Sequence, residues 1–180
     1  MTKFYHLHLH SEFSVLDSTI KIDDLLKKHK EMNMGAVAMT DFGNIFGAFA
    51  FYSKAKKASI KPIIGCELYV SPGSMNNKTL KNNNWLNHLI LLVKNKKGFE
   101  NLNKLITLSY TNNYYYKPRV DKNALSQHSE GLIALSACLR GEIPQLVILG
   151  KLEEAEKTTK FSKVSMGRII FFLKYKIMVC

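Results

Sequence analysis

Short apolar runs alternate along the chain with longer stretches in which apolar residues recur every three or four positions. The short runs are bounded by polar or turn-forming residues and predict buried strands, whereas the longer stretches predict amphipathic helices. This alternation predicts an α/β domain with a parallel sheet covered by helices, and it suggests a barrel of the TIM type. The predicted strands are residues 4–10, 36–40, 61–70, 88–95 and 131–139. The predicted helices are residues 20–33, 44–59, 98–110 and 121–129, with two further helical stretches beyond residue 140.

The first predicted strand carries a histidine at every second residue. In FYHLHLHSEFSVLD, residues 4–17, His6, His8 and His10 alternate with tyrosine and leucine. Side chains two residues apart along a strand point to the same face, so the three imidazoles are expected to share one face. A single histidine on a strand is more often a hydrogen-bonded core residue than a ligand, but an H-x-H pair is a moderate indication of metal binding.

Potential metal ligands cluster where the predicted strands end. In a parallel barrel the carboxyl ends of the strands meet at one end, and the chemistry collects there. Imidazole, carboxylate and thiolate groups form the ligand set of zinc, manganese or iron. Each side chain also has a structural explanation on its own, as a hydrogen-bonded core group, an ion-pair member or a small buried hydrophobe. The candidates are His8, His10, Asp41, Glu67 and Cys138, with His88 and Asp17 as further members.

The chain is strongly basic, with 26 Lys and Arg residues against 14 Asp and Glu residues and a net charge of +12. Such an excess favours a polyanionic partner such as nucleic acid. An AT-rich coding sequence would also produce many Lys and Asn residues. Both explanations of the charge therefore stay open at this point.

Cysteine usage and hydropathy predict a cytoplasmic location. The three cysteines, Cys66, Cys138 and Cys180, are far apart and form no C-x-x-C pair. This favours a reducing compartment over a disulfide framework. Residues 1–10 lack the apolar core of a signal peptide. No run approaches the ~20 apolar residues of a membrane span, so we expect no membrane partner.

Five segments resemble the polymerase-and-histidinol-phosphatase (PHP) domain. They are HLHLHSEFSVLD, AVAMTDFGNIFGAFAFYSKAKKASIKPIIGCELYV, HLILLVKNKKGFENLNKLI, YYYKPRVDK and GLIALSACLRGEIPQL. The resemblance covers roughly residues 3–163. The KPIIGCE and YYYKPR segments are typical of the replicative branch, so the chain most resembles the PHP domain at the N-terminus of bacterial DNA polymerase III alpha subunits.

The resemblance implies a distorted, TIM-like (β/α)7 barrel that binds up to three divalent metal ions, which would be zinc, manganese or iron. Because the last family strands would lie beyond residue 180, we expect a partial PHP barrel that is incomplete at the C-terminus. Carried over position by position, the ligands implied by the resemblance are His8, His10, Asp17, Glu67, His88 and Cys138.

The chain departs from the family pattern at two points. Phe42 stands where the family has a histidine, in TDFGN instead of TDHGN, and phenylalanine cannot bind a metal. An Asp-x-His pair from a later family strand is absent from the 180 residues. Metal occupancy is therefore expected to be incomplete or absent, and His6 is not expected to be a direct ligand.

The resemblance stops abruptly in SKVSMGRIIFFLKYKIMVC, residues 162–180. A back-translation of this tail shifted by one base upstream reads GKNNFFLEIQNHGL, which resembles the continuation of the family. We therefore expect a PHP domain over residues 1–164 and an aberrant tail, derived from a frameshift, over residues 165–180.

Two functions follow from the resemblance. The first is a structural and metal-binding module of a replicative polymerase, with primer-template DNA and other subunits, including a proofreading exonuclease, as partners. The 180 residues contain no Asp-x-Asp of the kind that positions two metals for nucleotidyl transfer, so they are not expected to polymerise DNA alone. The alternative is a metal-dependent phosphoesterase or 3′–5′ exonuclease. The ligand count distinguishes the two, and Phe42 favours the first.

Overall fold

The computed structural model describes residues 4–74, 86–111 and 114–165. The described strands are β1 (Ala36–Met39), β2 (Lys61–Val70), β3 (Asn87–Val93), β4 (Arg119–Val120) and β5 (Leu132–Leu135). The described helices are α1 (Ile22–Glu31), α2 (Ala48–Lys57), α3 (Lys96–Thr111), α4 (Lys122–Gln127), α5 (Glu142–Ile148) and α6 (Leu152–Ser165). Most of the predicted tail, from residue 166 onward, lies outside the described residues.

The strands form one five-stranded sheet in the order β1-β2-β3-β5, with β4 paired to β2. β2 runs parallel to β1 and β4, whereas β3 runs antiparallel to both β2 and β5. Among the described strands, four therefore share one direction and only β3 is reversed. The prediction of a wholly parallel sheet is wrong at β3. The β2–β3 connection, residues 71–86, has no helical periodicity, and a chain that returns without a crossover helix pairs antiparallel.

The two faces of the sheet bury different clusters. On β3, Leu91 packs with Leu102 and Leu105 of α3, whereas Ile90 and Leu92 belong to a separate cluster. The second cluster also contains Ala38 of β1 and Leu135 of β5, with Leu7 packed against it. Helices thus cover one face, and distant strands meet on the other, which we call the interior face. This arrangement is a partial α/β barrel, as the sequence predicted.

A third cluster holds the first helices against the barrel. Ile22, Leu25 and Leu26 of α1 are buried with Phe51 and Ala55 of α2. The spacing of these residues gives each helix one apolar stripe, which explains why both lie on the outside of the sheet. No helix among the described residues is long and apolar enough to cross a membrane.

Residues 4–10 do not form the predicted strand. Only an isolated parallel bridge joins His6 to Val37. The Leu9 amide donates to Thr40 Oγ1 at 3.0 Å, although the Thr40 amide still donates to the Leu9 carbonyl at 2.8 Å. A side-chain hydroxyl thus replaces a backbone acceptor and interrupts the ladder. The segment nevertheless runs beside β1 and carries His8 and His10 to the interior face. His6 instead packs on His29 of α1, so the prediction that all three imidazoles share one face is wrong for His6.

Candidate metal centre

The Glu67 carboxylate is the centre of a cluster of three imidazoles. Its Oε2 atom lies 2.6 Å from His8 Nε2 and 2.8 Å from His10 Nε2. Its Oε1 atom lies 2.7 Å from His88 Nδ1. Glu67 is only 1% exposed, yet the His8 and His10 side chains retain 22% and 15% exposure. The cluster is therefore anchored in the interior and opens to solvent on the side of the first two histidines.

Strand register explains how the sequence builds this cluster. Glu67 lies opposite Ile90 and Tyr69 lies opposite His88 in the β2–β3 ladder, so all four side chains share the interior face. Because β3 is reversed, its first residues lie beside the carboxyl end of β2. His88 therefore reaches the same end of the barrel as the residues that follow β1, although it begins its strand.

The donor atoms converge as a metal site requires. His8 Nε2 and His10 Nε2 lie 2.9 Å apart, and one ligand atom from each of His8, His10 and Glu67 lies within 4.8 Å of the other two. Two imidazole nitrogens and a carboxylate oxygen directed at one point are a donor set suited to zinc or another transition metal. The residues that are present therefore fit a divalent cation.

The charge state of Glu67 agrees with a role as a ligand. Burial alone would raise the pKa of this carboxyl, but hydrogen bonds from His10, His8 and His88 outweigh burial and hold the pKa well below its usual range. Glu67 is therefore an acceptor with both oxygens engaged. An ionised carboxylate is the form that binds a cation.

A second buried carboxylate, Asp41, organises the loop that follows the histidines. Asp41 is 1% exposed and accepts hydrogen bonds from the Ser11 amide, the Ser11 hydroxyl and the Ser14 hydroxyl, each at 2.7 Å. The Phe42 amide in turn donates to Ser14 Oγ at 3.1 Å. Asp41 was a candidate ligand, but its oxygens are used to fix the chain directly after His10.

Phe42, which stands where the family has a histidine, lies beside the centre. Its ring meets the His10 ring edge-on with centroids 4.0 Å apart, and the His88 ring with centroids 5.4 Å apart. It also stacks on Tyr69 at 5.8 Å. An aromatic wall without a donor atom thus closes the side of the cluster between His10 and His88.

The structure does not bring the other candidates from the sequence into the group around Glu67. His6 contacts the Phe4 and His29 rings, in keeping with the expectation that it is not a direct ligand. Cys138 and Asp17 are exposed, and within the described part of the chain neither belongs to the compact group around Glu67. Their role as ligands stays a prediction.

Sequence reasoning missed the residues that support the site. Ser11 and Ser14 form an S-x-x-S pattern directly after the histidines, and that local spacing was a usable signal. Lys117 was not predictable in this way. Its Nζ donates to the Tyr69 hydroxyl at 3.3 Å and lies 4.4 Å from the ring centroid, a contact between segments 48 residues apart.

Comparison with known proteins identifies the family. A family model of the PHP domain matches residues 6–172, which is most of the chain. The chain belongs to the PHP domain family, and the resemblance seen in the sequence is confirmed. A structural comparison confirms the fold class. The chain superposes on a crystal structure from Bifidobacterium adolescentis, described as that of a metal-dependent phosphoesterase, with a TM-score of 0.54 at 8% identity. That superposition covers 93% of this chain and 85% of the other.

Several curated proteins similar to this chain are DNA polymerase III alpha subunits. That of Borreliella burgdorferi is 47% identical over 170 residues, which cover 92% of this chain and 15% of that protein. That of Aquifex aeolicus is 46% identical over 170 residues, again with 15% of the relative covered. That of Treponema pallidum is 41% identical over 174 residues. The chain thus spans about 15% of the length of these relatives.

Proposed function

We propose that this chain serves as the PHP module of a DNA polymerase III alpha subunit and binds a divalent metal ion. The observation that carries the metal part is the convergence of His8, His10 and Glu67 at one end of the barrel. The polymerase context is supported by the 47% identity to the Borreliella burgdorferi subunit. In that context the module acts in DNA replication as a platform for other subunits, including a proofreading exonuclease, near primer-template DNA.

The residues of the centre have different tasks in this proposal. His8 and His10 hold the cation as neutral imidazoles, and Glu67 holds it through Oε2. His88 fixes the Glu67 carboxylate through the other oxygen. Asp17 and Cys138 supply additional ligands from the loops. A bound zinc, manganese or iron ion would supply positive charge to neutralise a phosphate and would acidify a water molecule at the site.

A second candidate is a metal-dependent phosphoesterase or 3′–5′ exonuclease. The partial exposure of the His8 and His10 side chains favours it, because a phosphodiester in solvent would approach the cluster from this side. In this case the chain positions the phosphate against the open side of the cluster, and the buried Glu67–His88 pair keeps the ligands in place.

Metal analysis of the purified chain tests the proposal. After dialysis against trace zinc, manganese or iron, we expect bound metal in the wild type and its loss in His8→Ala and Glu67→Gln. His128→Ala is the matched control, since His128 lies after α4 and is absent from the cluster. A wild-type chain that holds no more metal than His8→Ala would contradict the proposal. Metal-dependent turnover of a phosphodiester that Glu67→Gln abolishes would favour the second candidate.

A further inference from the structure

Three tyrosines with exposed rings lie in the segment that follows α3 and at its end. Tyr110, Tyr114 and Tyr116 are 41%, 52% and 64% exposed. Large aromatic side chains dominate binding surfaces because each offers a rigid apolar face, and a group of exposed rings marks an interaction site. We call Tyr110, Tyr114, Tyr116 and Lys117 the tyrosine rim.

Packing connects the tyrosine rim to the metal centre on the Phe42 side. The Tyr114 ring stacks on Tyr110 with centroids 6.1 Å apart. The Tyr110 hydroxyl lies 3.8 Å from the point that a Cβ at Gly43 would occupy. Gly43 directly follows Phe42, whose ring contacts His10. Tyr110 thus packs near Gly43, and the neighbouring Phe42 contacts His10 of the cluster. These contacts connect the exposed rings to the metal centre.

Lys117 forms a second connection and supplies positive charge. Its ammonium group lies over the Tyr69 ring and donates to the Tyr69 hydroxyl. The Tyr69 ring contacts the His88 ring edge-on at 5.1 Å. The Tyr69 ring thus lies between the Lys117 cation and His88 of the centre.

The backbone of Tyr116 is held in a costly conformation. Its φ is 61°, in the left-handed region that aromatic residues rarely adopt. An isolated bridge between Tyr115 and Lys117 closes the turn, and the Tyr115 amide donates to the Lys117 carbonyl at 3.3 Å. The Tyr116 ring packs edge-on against the Tyr115 ring with centroids 4.6 Å apart, yet 64% of the residue remains exposed. The turn therefore holds this ring at the surface, and residues held in such strained conformations cluster at functional sites.

The geometry points to single-stranded DNA as the ligand of the tyrosine rim. Bases stack on the exposed Tyr114 and Tyr116 rings, and Lys117 contacts a phosphate, so that the strand leads toward the His8–His10–Glu67 group. Stacking on aromatic rings beside a cationic surface is how proteins bind single strands without reading their sequence. The net charge of +12 suits this ligand. This inference extends the proposed function by naming the class of ligand. It depends on the proposed function only for the role of the metal.

Fluorescence anisotropy with a labelled oligothymidylate of about ten nucleotides tests the stacking contacts, since single-strand sites span roughly 4–16 nucleotides. We expect Tyr114→Ala to weaken binding about 10-fold, as loss of one stacked base would, and Tyr114→Phe to retain it. The matched control is Tyr52→Ala on α2, because Tyr52 is 52% exposed, as Tyr114 is. This control should leave the affinity unchanged.

A second variant separates binding from folding at Tyr116. Tyr116→Gly removes the ring and also relieves the left-handed strain. We therefore expect weaker oligonucleotide binding together with a thermal midpoint that is unchanged or higher. A variant that lost binding only because it unfolded would instead show a lower midpoint, and would count against the proposal.

Salt dependence tests the phosphate contact. Each phosphate contact of a single strand contributes about 0.7 to the slope of log affinity against log salt concentration. Lys117→Gln should therefore reduce the slope by about 0.7, the contribution of one contact. Lys28→Gln is the control, because Lys28 lies on α1 and its side chain is 69% exposed. This second lysine should change the slope by much less.

Binding in EDTA separates the tyrosine rim from the metal centre. The effects of the tyrosine variants on oligonucleotide affinity should persist without metal. If the proposed metal centre is wrong, the chain will bind no metal, whether or not the tyrosine rim binds the oligonucleotide. Equal weakening by Tyr114→Ala and Tyr52→Ala, or no oligonucleotide binding at low salt, would overturn the inference. The exposed tyrosines would then fit a protein partner.

Discussion

Glu67 Oε1 lies 2.7 Å from His88 Nδ1, while the other oxygen of the same carboxylate faces His8 and His10. The two oxygens of Glu67 thus serve different neighbours. His88 can donate to one oxygen and hold the carboxylate in the orientation that presents the other to the open side. Glu67 can contact His88 with one oxygen and His8 and His10 with the other because the antiparallel β3 places His88 beside the end of β2.

The Glu67–His88 contact predicts a positioning role for His88. We expect His88→Leu to lower metal affinity by about 10- to 100-fold, as is typical when a residue that orients a metal ligand is lost. His88→Gln retains a donor and should keep most of the affinity. Isothermal titration with zinc or manganese measures both. If His88→Leu instead removes one metal per chain without changing the affinity of the rest, His88 is itself a ligand.

Phe42 predicts a gain of metal binding on substitution. Its ring stands between His10 and His88, so Phe42→His would place a nitrogen donor where the wild type has an aromatic wall. We expect more bound metal per chain or an affinity about 10-fold higher, which corresponds to about 1.4 kcal/mol. Phe42→Leu controls for the loss of the ring. Unchanged metal content in Phe42→His would show that this position does not face the bound cation.

The two described cysteines predict a labelling experiment that tests Cys138 as a ligand. Burial, together with the Asp41 and Glu67 carboxylates, raises the pKa of the Cys66 thiol far above its usual range, whereas Cys138 is exposed. In a Cys180→Ser background, a thiol reagent at pH 8 should therefore modify Cys138 and spare Cys66 until the chain unfolds.

Metal should then protect Cys138 if it coordinates the cation. We expect labelling to slow at least severalfold when zinc is added, because a coordinated thiolate is no longer a free nucleophile. The comparison is the same reaction in Glu67→Gln, where zinc should give no protection. Labelling that zinc leaves unchanged in the wild type would remove Cys138 from the ligand set.

The core of the site was predictable from the sequence because its signals are local. His8 and His10 are two residues apart, and the β2 sequence KPIIGCELYV is a continuous strand that fixes the side on which Glu67 points. His88 was a weaker candidate because it lies at the start of its apolar run. In an all-parallel sheet, that position would be at the end of the barrel opposite to the other candidate ligands. Strand direction depends on how the chain returns after β2, which the apolar pattern does not encode.

Contacts between distant segments could not be read from the pattern. The extended segment at residues 4–10 has strand-like alternation, yet Thr40 Oγ1 takes the place of a ladder acceptor and leaves a single bridge. Lys117 reaches the centre only through Tyr69. Both depend on side-chain geometry in three dimensions, whereas periodicity reports only which face of an element is buried.

The Asp41 hydrogen bonds predict a large loss of stability on truncation. In Asp41→Ala, the Ser11 amide and the Ser11 and Ser14 hydroxyls lose their acceptor while they remain buried. Since each buried group left unpaired costs about 1–3 kcal/mol, we expect the free energy of unfolding to fall by about 3 kcal/mol. Urea denaturation in EDTA measures this change without any contribution from metal.

Two companion variants assign the loss to this network. Ser14→Ala removes one of the three donors, and should cost about 1 kcal/mol, as a typical single hydrogen bond does. Glu130→Ala removes an exposed carboxylate and should change stability by about 0.5 kcal/mol or less. Because Asp41 fixes the chain directly after His10, Asp41→Ala should also weaken metal binding under conditions where it remains folded. A folded Asp41→Ala chain with wild-type stability and metal affinity would show that the serine–aspartate network does not support the centre.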